Sequence, residues 1–436
     1  MSSAVFALHE HTLPCSYIRG YSRATVDGTD SRLQLAVKQY VPLDNPDPQP
    51  GDVTILGAHA NGFPKELYEP LWDDLYHSLA KLNIRIRGIW ISDVAWQGYS
   101  SVLNEDKLGN DPNWLDHSLD LLLLVNHFAP QMPRPIVGVG HSMGGCQLTN
   151  LSLIHPRLFT SLILIDPVIS RSQGGANWRP ARASAGRRDL WPSRAAAKTA
   201  FAKSKFYQTW DPRVLERWME HGLRDLPTAI YPESSSLTTE DDDGDDTEDR
   251  EKQVTLRTTK HNEVHSFVRP AYRTPTAKDG PNRPPTSASH PELFVTGGAP
   301  PSEPFYRPEP GQTFARLPHL RPATLYVFGA KSDLSGPSQR ADKLACTGIG
   351  MGGSGGVRAG RVKEVLVDAG HLVPMEKVQE TADAAAEWIG NEVGRWKEEE
   401  AEVRRELEGV DRRDRARMSE GFMKALKGDW GKGAKL

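Results

Sequence analysis

Apolar and polar positions alternate between two periods through the first 165 residues. Leu33–Val41 alternates in the way of a half-buried strand, and Ser16–Ser22 reads as a strand ahead of it. The Pro/Asp-rich stretch Pro42–Gly51 reads as a turn. Val53–Leu56 and Ile84–Ile91 are apolar runs of strand length, with a helical pattern over Leu67–Leu82 between them. Asp116–Phe128 is amphipathic and helix-like, Pro135–Val139 is a short buried strand, and Gln147–Ile154 and Leu162–Ile165 continue the rhythm. Strands alternating with helices predict an α/β fold: a mostly parallel sheet with helices on both faces.

From Ser170 to Leu320 the rhythm stops. Asp189–Leu226 looks helical, Ser234–Lys252 (SSSLTTEDDDGDDTEDREK) is acidic and of low complexity, and Arg269–Pro310 is rich in Pro, Ser and Thr without a period. Sheet-like runs return at Ala323–Phe328 and Val362–Val367, followed by a helix near Val378–Val393. This layout predicts a sheet core in two parts, 1–169 and 321–395, around a cap insertion, 170–320, with a disordered segment near 234–252. A charged helical tail, 396–436, reads as a solvated surface helix. There is no internal repeat.

Composition narrows the function. The 436 residues include 38% hydrophobic ones, which leaves part of the chain outside any core, and a net charge of -3 argues against a general nucleic-acid binder. Three cysteines, Cys15, Cys146 and Cys346, without CxxC spacing suggest neither a disulfide framework nor a zinc site. The start MSSAVFALHEHTLP is not that of a signal peptide. No apolar run reaches the roughly 20 residues of a membrane span.

Between an apolar strand and a helix lies Gly140-His141-Ser142-Met143-Gly144, a G-x-S-x-G sequence. That setting demands a strained turn, and small residues at both ends let strand and helix approach. Ser142 is therefore the candidate nucleophile. A serine hydroxyl needs a base and an orienting acid. EVLVDAGHLVPM (Glu364–Met375) offers His371 on the turn after the last strand; position selects it among 14 histidines. Two aspartates fit the order serine, acid, histidine: Asp166, ending LILID, and Asp333, after YVFGAKS. The residues alone leave both open. Backbone N–H groups of Met143 and of Asn61, in HANGFPKE, are the candidate oxyanion donors.

Several long motifs in this order carry a resemblance: HANGFPKELYEPLW, NEDKL, MPRPIVGVGHSMGG, HPRLFTSLILIDP, YRPEPGQTFARL and GIGMGGSGGVRAGRVKEV. They look like fungal peroxisomal α/β-hydrolases, a group including the acyl-CoA hydrolase of mycophenolic acid biosynthesis and toxin-biosynthesis hydrolases. The likeness covers Tyr17 to Trp388 and is weakest around Ser234–Pro300. It implies an α/β-hydrolase fold, a triad of Ser142, Asp166 and His371, and leaves room for a homodimer. Met143 and Asn61 depart from the mycophenolic relative, which has an aromatic and a small apolar residue there, so substrate identity does not transfer.

The sequence ends Ala434-Lys435-Leu436, close to the Ser-Lys-Leu peroxisomal address and a candidate for an import receptor. The basic stretch Arg171–Lys205, including Arg187, Arg188 and Arg194, reads either as a solvated cap surface or as a landing site for coenzyme A phosphates. The Gly-rich Gly348–Gly356 lacks a strand-to-helix setting and reads as a loop, not a nucleotide site. The leading expectation is a peroxisomal thioesterase of a bulky or secondary-metabolite acyl-CoA, requiring no metal or bound cofactor. A carboxylester hydrolase or lipase with the same triad is the alternative. A non-catalytic pocket-binding protein of this fold is a third, which an intact triad disfavours.

Overall fold

The computed structural model describes residues 2–28, 31–171, 178–232, 252–273, 283–294 and 303–428. Residues 234–251 of the acidic stretch and the tripeptide Ala434, Lys435 and Leu436 lie outside them.

The chain runs through β1 (Phe6–Pro14), β2 (Gln34–Pro42), β3 (Val53–Ala58), α1 (Glu69–Lys81), β4 (Ile86–Ser92) and α2 (Gly98–Leu103). Next come α3 (Asp116–His127), β5 (Ile136–His141), α4 (Met143–Ile154) and β6 (Ser161–Ile165). The following stretch holds α5 (Trp178–Gly186), β7 (Leu190–Trp191), α6 (Arg194–Lys203), α7 (Pro212–His221) and β8 (Leu223–Asp225). It continues through β9 (Val254–Leu256), α8 (Lys260–Phe267), β10 (Arg269–Pro270) and β11 (Phe305–Tyr306). Then follow α9 (Glu309–Arg316), β12 (Ala323–Gly329), α10 (Pro337–Cys346), β13 (Val362–Val367), α11 (Val373–Glu376), α12 (Val378–Leu407) and α13 (Glu420–Leu426).

Eight strands form one sheet in the order β1-β2-β4-β3-β5-β6-β12-β13. The β1–β2 and β2–β4 pairs are antiparallel, and every other pair is parallel. Every residue of β3, β5, β6 and β12 is buried, because helices cover both faces of a parallel sheet. That is why these strands read as unbroken apolar runs.

The expected strand at Ser16–Ser22 is a loop, and β1 lies upstream of it. Arg19 pins that loop to α3: Nη1 donates to Asp120 Oδ1 at 2.8 Å, while Asp116 Oδ1 accepts from Gly20 N–H at 2.7 Å. β1 escaped notice because it is an edge strand, buried only at Phe6 and Leu13 along its length.

The helical reading of Asp189–Leu226 is met by α6 and α7, with the short strands β7 before them and β8 after. Ser193 and Asp211 accept from the backbone N–H groups of Ala196 and Arg213 and so start α6 and α7 as separate helices, with Pro212 at the first turn. β7, β9 and β8 form a small antiparallel sheet beside them. Phe201, Tyr207, Trp210 and Trp218 make an aromatic cluster against which Phe63 of the HANGF loop packs, 5.6 Å from Trp210 between ring centres. Phe314, Leu317 and Leu320 sit in the main core, so core packing resumes at α9, ahead of the expected boundary at 320.

By packing, the chain divides into Met1–Glu392 and Val393–Leu436. The sheet and its site belong to the first unit; the second contains α13. Among the described residues no helix is long and apolar enough to cross a membrane.

Candidate active site

Ser142 sits at the turn from β5 into α4 with φ 55° and ψ -113°, a conformation that costs a non-glycine residue on the order of 1–3 kcal/mol. Its neighbours make that turn the available one. A Cβ on Gly140 would come within 2.7 Å of the Gly144 carbonyl oxygen, and one on Gly144 would collide with the Ala58 carbonyl. The strained backbone is held by Ser142 N–H to Ile165 O at 2.9 Å and by Val168 N–H to Ser142 O at 3.1 Å. α4 starts without a side-chain cap and is buried from Met143 to Ser152, so packing anchors it. The Ser142 hydroxyl is thereby left for another partner.

That partner is His371, which follows β13. Its Nε2 lies 2.8 Å from Ser142 Oγ, and its Nδ1 lies 2.6 Å from Asp166 Oδ2. Asp166, fully buried just beyond β6, also has a positive φ, 39°, fixed by its N–H donating to Val327 O at 2.8 Å. Burial raises its carboxyl, but hydrogen bonds from His371 and Ser332 and the charge of His371 outweigh burial and hold it below the usual carboxylate range. Ser332 Oγ donates to Asp166 Oδ2 at 2.5 Å. Asp333, next along, is exposed. Of the two aspartates the sequence left open, Asp166 is the one brought to the imidazole. An imidazole between a serine hydroxyl and a buried carboxylate can take the hydroxyl proton and be stabilised as it charges.

Beside this line runs a second one. Ala60 N–H donates to Tyr68 Oη at 2.8 Å, Tyr68 Oη meets His141 Nδ1 at 2.9 Å, and His141 Nε2 meets the His371 carbonyl at 3.0 Å. Complete burial and the neighbouring His371 push the His141 imidazole down to about 3, so it is neutral. Since its Nε2 faces a carbonyl, that nitrogen carries the proton, and Tyr68 donates to Nδ1.

The Asn61 loop is fixed by Gln97, which is fully buried. Gln97 Oε1 accepts from Gly62 N–H at 2.8 Å, and its Nε2 donates to Asn61 Oδ1 at 2.5 Å and to Ser266 Oγ of α8 at 3.0 Å. The Met143 N–H belongs to the first turn of α4, where helix geometry supplies no acceptor. Sequence reasoning reached Asn61 and Met143 but missed Gln97, Tyr68, His141 and Ser332. Only His141 carried a signal, its place beside Ser142.

Ser142, His371 and Asn61 open on a cavity of about 440 Å³, walled by Trp114, Phe206, Tyr207 and Phe267 among others. Arg187 and Glu263 line it too. Arg187 forms an ion pair with Glu263, whose Oε1 accepts from Ser184 Oγ at 2.7 Å. Burial raises the Glu263 carboxyl in spite of both partners. The three arginines expected to meet phosphates thus have separate engagements. Arg194 pairs with Asp225 at 2.7 Å, and Arg188 donates to the Leu190 carbonyl at 2.7 Å. Two of the three are committed to carboxylates that lie far along the chain, which a run of basic residues does not reveal.

The chain matches the alpha/beta hydrolase family over residues 55–385. It is 41% identical over 417 residues to the type I acyl-CoA thioesterase mpaH of Penicillium roqueforti, covering 94% of this chain and 93% of that protein. To the abhydrolase domain-containing protein AFT2-1 of Alternaria alternata it is 30% identical over 260 residues, 59% of this chain and 84% of the other. In fold it is similar to the solved peroxisomal alpha-beta-hydrolase Lpx1 of Saccharomyces cerevisiae, with TM-score 0.67, 17% identity and 99% of each chain covered. The matched span reaches from β3 into α12 and takes in Ser142, Asp166 and His371: the chain belongs to the alpha/beta hydrolase family and is a hydrolase.

Proposed function

We propose that the chain hydrolyses the thioester of an acyl-CoA with a bulky or secondary-metabolite acyl group. Ser142 Oγ attacks the thioester carbonyl while His371 Nε2 takes its proton. The oxyanion is held by the backbone N–H groups of Met143 and Asn61. As the tetrahedral adduct collapses, the C–S bond breaks and His371 returns the proton to the departing thiolate. Water then attacks the acyl-serine, again with His371 as base. Asp166 stays ionised and holds the imidazole in one tautomer. The observation that carries this reading is the line from Ser142 Oγ through His371 to Asp166, with contacts of 2.8 and 2.6 Å, opening on an apolar cavity.

The thioester preference rests on the relatives named type I acyl-CoA thioesterases in Penicillium roqueforti and Penicillium brevicompactum. We read the stretch from α5 to β11 as the cap over this cavity. Coenzyme A phosphates then fall to Arg188, exposed and without a carboxylate partner among the described residues, rather than to Arg187 or Arg194. Matched CoA thioesters and oxoesters of the same acids test the class. Thiol release at rates above oxoester cleavage is expected; cleavage of oxoesters alone identifies a carboxylester hydrolase. Import into peroxisomes through Ala434-Lys435-Leu436 is the proposed address. A fluorescent fusion that stays peroxisomal without those three residues overturns it.

A further inference from the structure

The cavity holds an ion pair where an apolar acyl group alone would ask for none. Trp114, Phe206 and Phe267 supply apolar wall, while Arg187 and the buried Glu263 bring opposite charges to the same space. Burying such a pair gives little stability that packed apolar residues would not give. The pair also has bonding capacity to spare. Arg187 Nε has no hydrogen-bond partner among the described residues although it is buried, and each Glu263 oxygen can accept more than one hydrogen bond. Glu263 is held against the Asn61-Gly62 turn. Asn61 Nδ2 donates to its carbonyl at 3.1 Å, and a Cβ on Gly62 would come within 2.9 Å of its carboxyl carbon.

We propose that Arg187 and Glu263 form a polar subsite that recognises a hydroxyl carried by the acyl group. The proposal rests on the reading of this cavity as the acyl site. Charge selects the class of group. A carboxylate on the substrate would meet Glu263, and an ammonium would meet Arg187. A hydroxyl accepts from the guanidinium and donates to the carboxylate, so it satisfies both without an added charge. Its absence leaves the buried Arg187 Nε without a partner and the buried Glu263 carboxylate with bonding capacity unused, which is the strongest way for a pocket to reject an analogue.

The test uses acyl-CoAs with a hydroxyl at successive positions, each beside its deoxy parent and a carboxylate analogue. Wild type, Arg187→Met and Glu263→Gln are compared, with p-nitrophenyl esters of the same acids in parallel. Wild type should prefer the hydroxylated member at one position by about tenfold or more in kcat/KM, and reject the carboxylate. Both substitutions should bring that ratio to near one. Absence of any hydroxyl preference in wild type overturns the proposal without recourse to a variant. So does a ratio that survives both substitutions, which would reduce the pair to a staple between α8 and the end of α5. If only the nitrophenyl esters are cleaved, the thioester reading fails while the ratio still decides the subsite.

Discussion

The end of the sheet and the stretch we read as its cap line one cavity but are built on different terms. At the sheet end, Ser142 and Asp166 stand directly after the fully buried parallel strands β5 and β6, and His371 stands four residues after the edge strand β13. Two of the three have a positive φ, a strain the surrounding hydrogen bonds sustain. The cap side is made of short helices, strands of two or three residues and an aromatic cluster, with side chains such as Phe206 and Arg187 turned to the cavity. On the proposed reading, the sheet end sets what reaction occurs and the cap sets on what. Changes at the sheet end should therefore depress all substrates alike, whereas changes in the cap should act substrate by substrate.

The largest break in that division is removal of the nucleophile. Ser142→Ala should lower kcat by about 10⁶-fold on every ester tested. Asp166→Asn should cost about 10⁴-fold, by presenting the wrong partner to His371 Nδ1, while Asp333→Asn leaves the rate unchanged. Steady-state assays on a small and a bulky substrate check both. Equal losses on the two are expected, and a loss confined to the bulky one contradicts the division.

Gln97 tests the border between the regions, because it bonds to the Asn61 loop and to α8 at once. Gln97→Leu should lower kcat by about 10²-fold with KM little changed, as expected of a lost oxyanion donor. Affinity for a boronate transition-state analogue should fall in step with kcat. An altered KM with unchanged boronate affinity would assign Gln97 to cap docking alone.

On the cap side, Phe206→Ala should cost about tenfold in kcat/KM for a bulky acyl group and leave an acetyl ester untouched. The smallest effect concerns pH. Asp166 has a folded value below its unfolded one, so its contribution to stability is present above the ordinary carboxylate pKa and is lost as pH falls through the depressed folded value. The difference in Tm between wild type and Asp166→Asn should hold above pH of about 4 and shrink only below it. A difference that grows on acidification would reverse the sign.

The same contrast explains what could be read from the sequence. The buried strands were legible because helices on both faces demand unbroken apolar runs, and Ser142 was legible because close approach at Gly140 and Gly144 leaves a fixed spacing. His371 was found by its place after β13. Asp166 and Asp333 stayed open on the residues because both follow strands; which carboxylate turns to the imidazole depends on the backbone at Asp166 and on Ser332. The cap was illegible because its strands are too short to show a period and its pairings span long separations, such as Arg187 with Glu263. Gln97 belongs to no pattern at all. Its role comes from three hydrogen bonds that only the folded chain assembles.

Capture of the acyl-enzyme tests the central claim most directly. The protein is mixed with a slowly turned-over acyl-CoA, quenched in acid, and digested for mass spectrometry, with Ser142→Ala alongside. An acyl group on the peptide containing Ser142, formed in step with a burst of free thiol and absent from the variant, is the predicted result. Thiol release that persists in Ser142→Ala, with no adduct on that peptide in wild type, would contradict it.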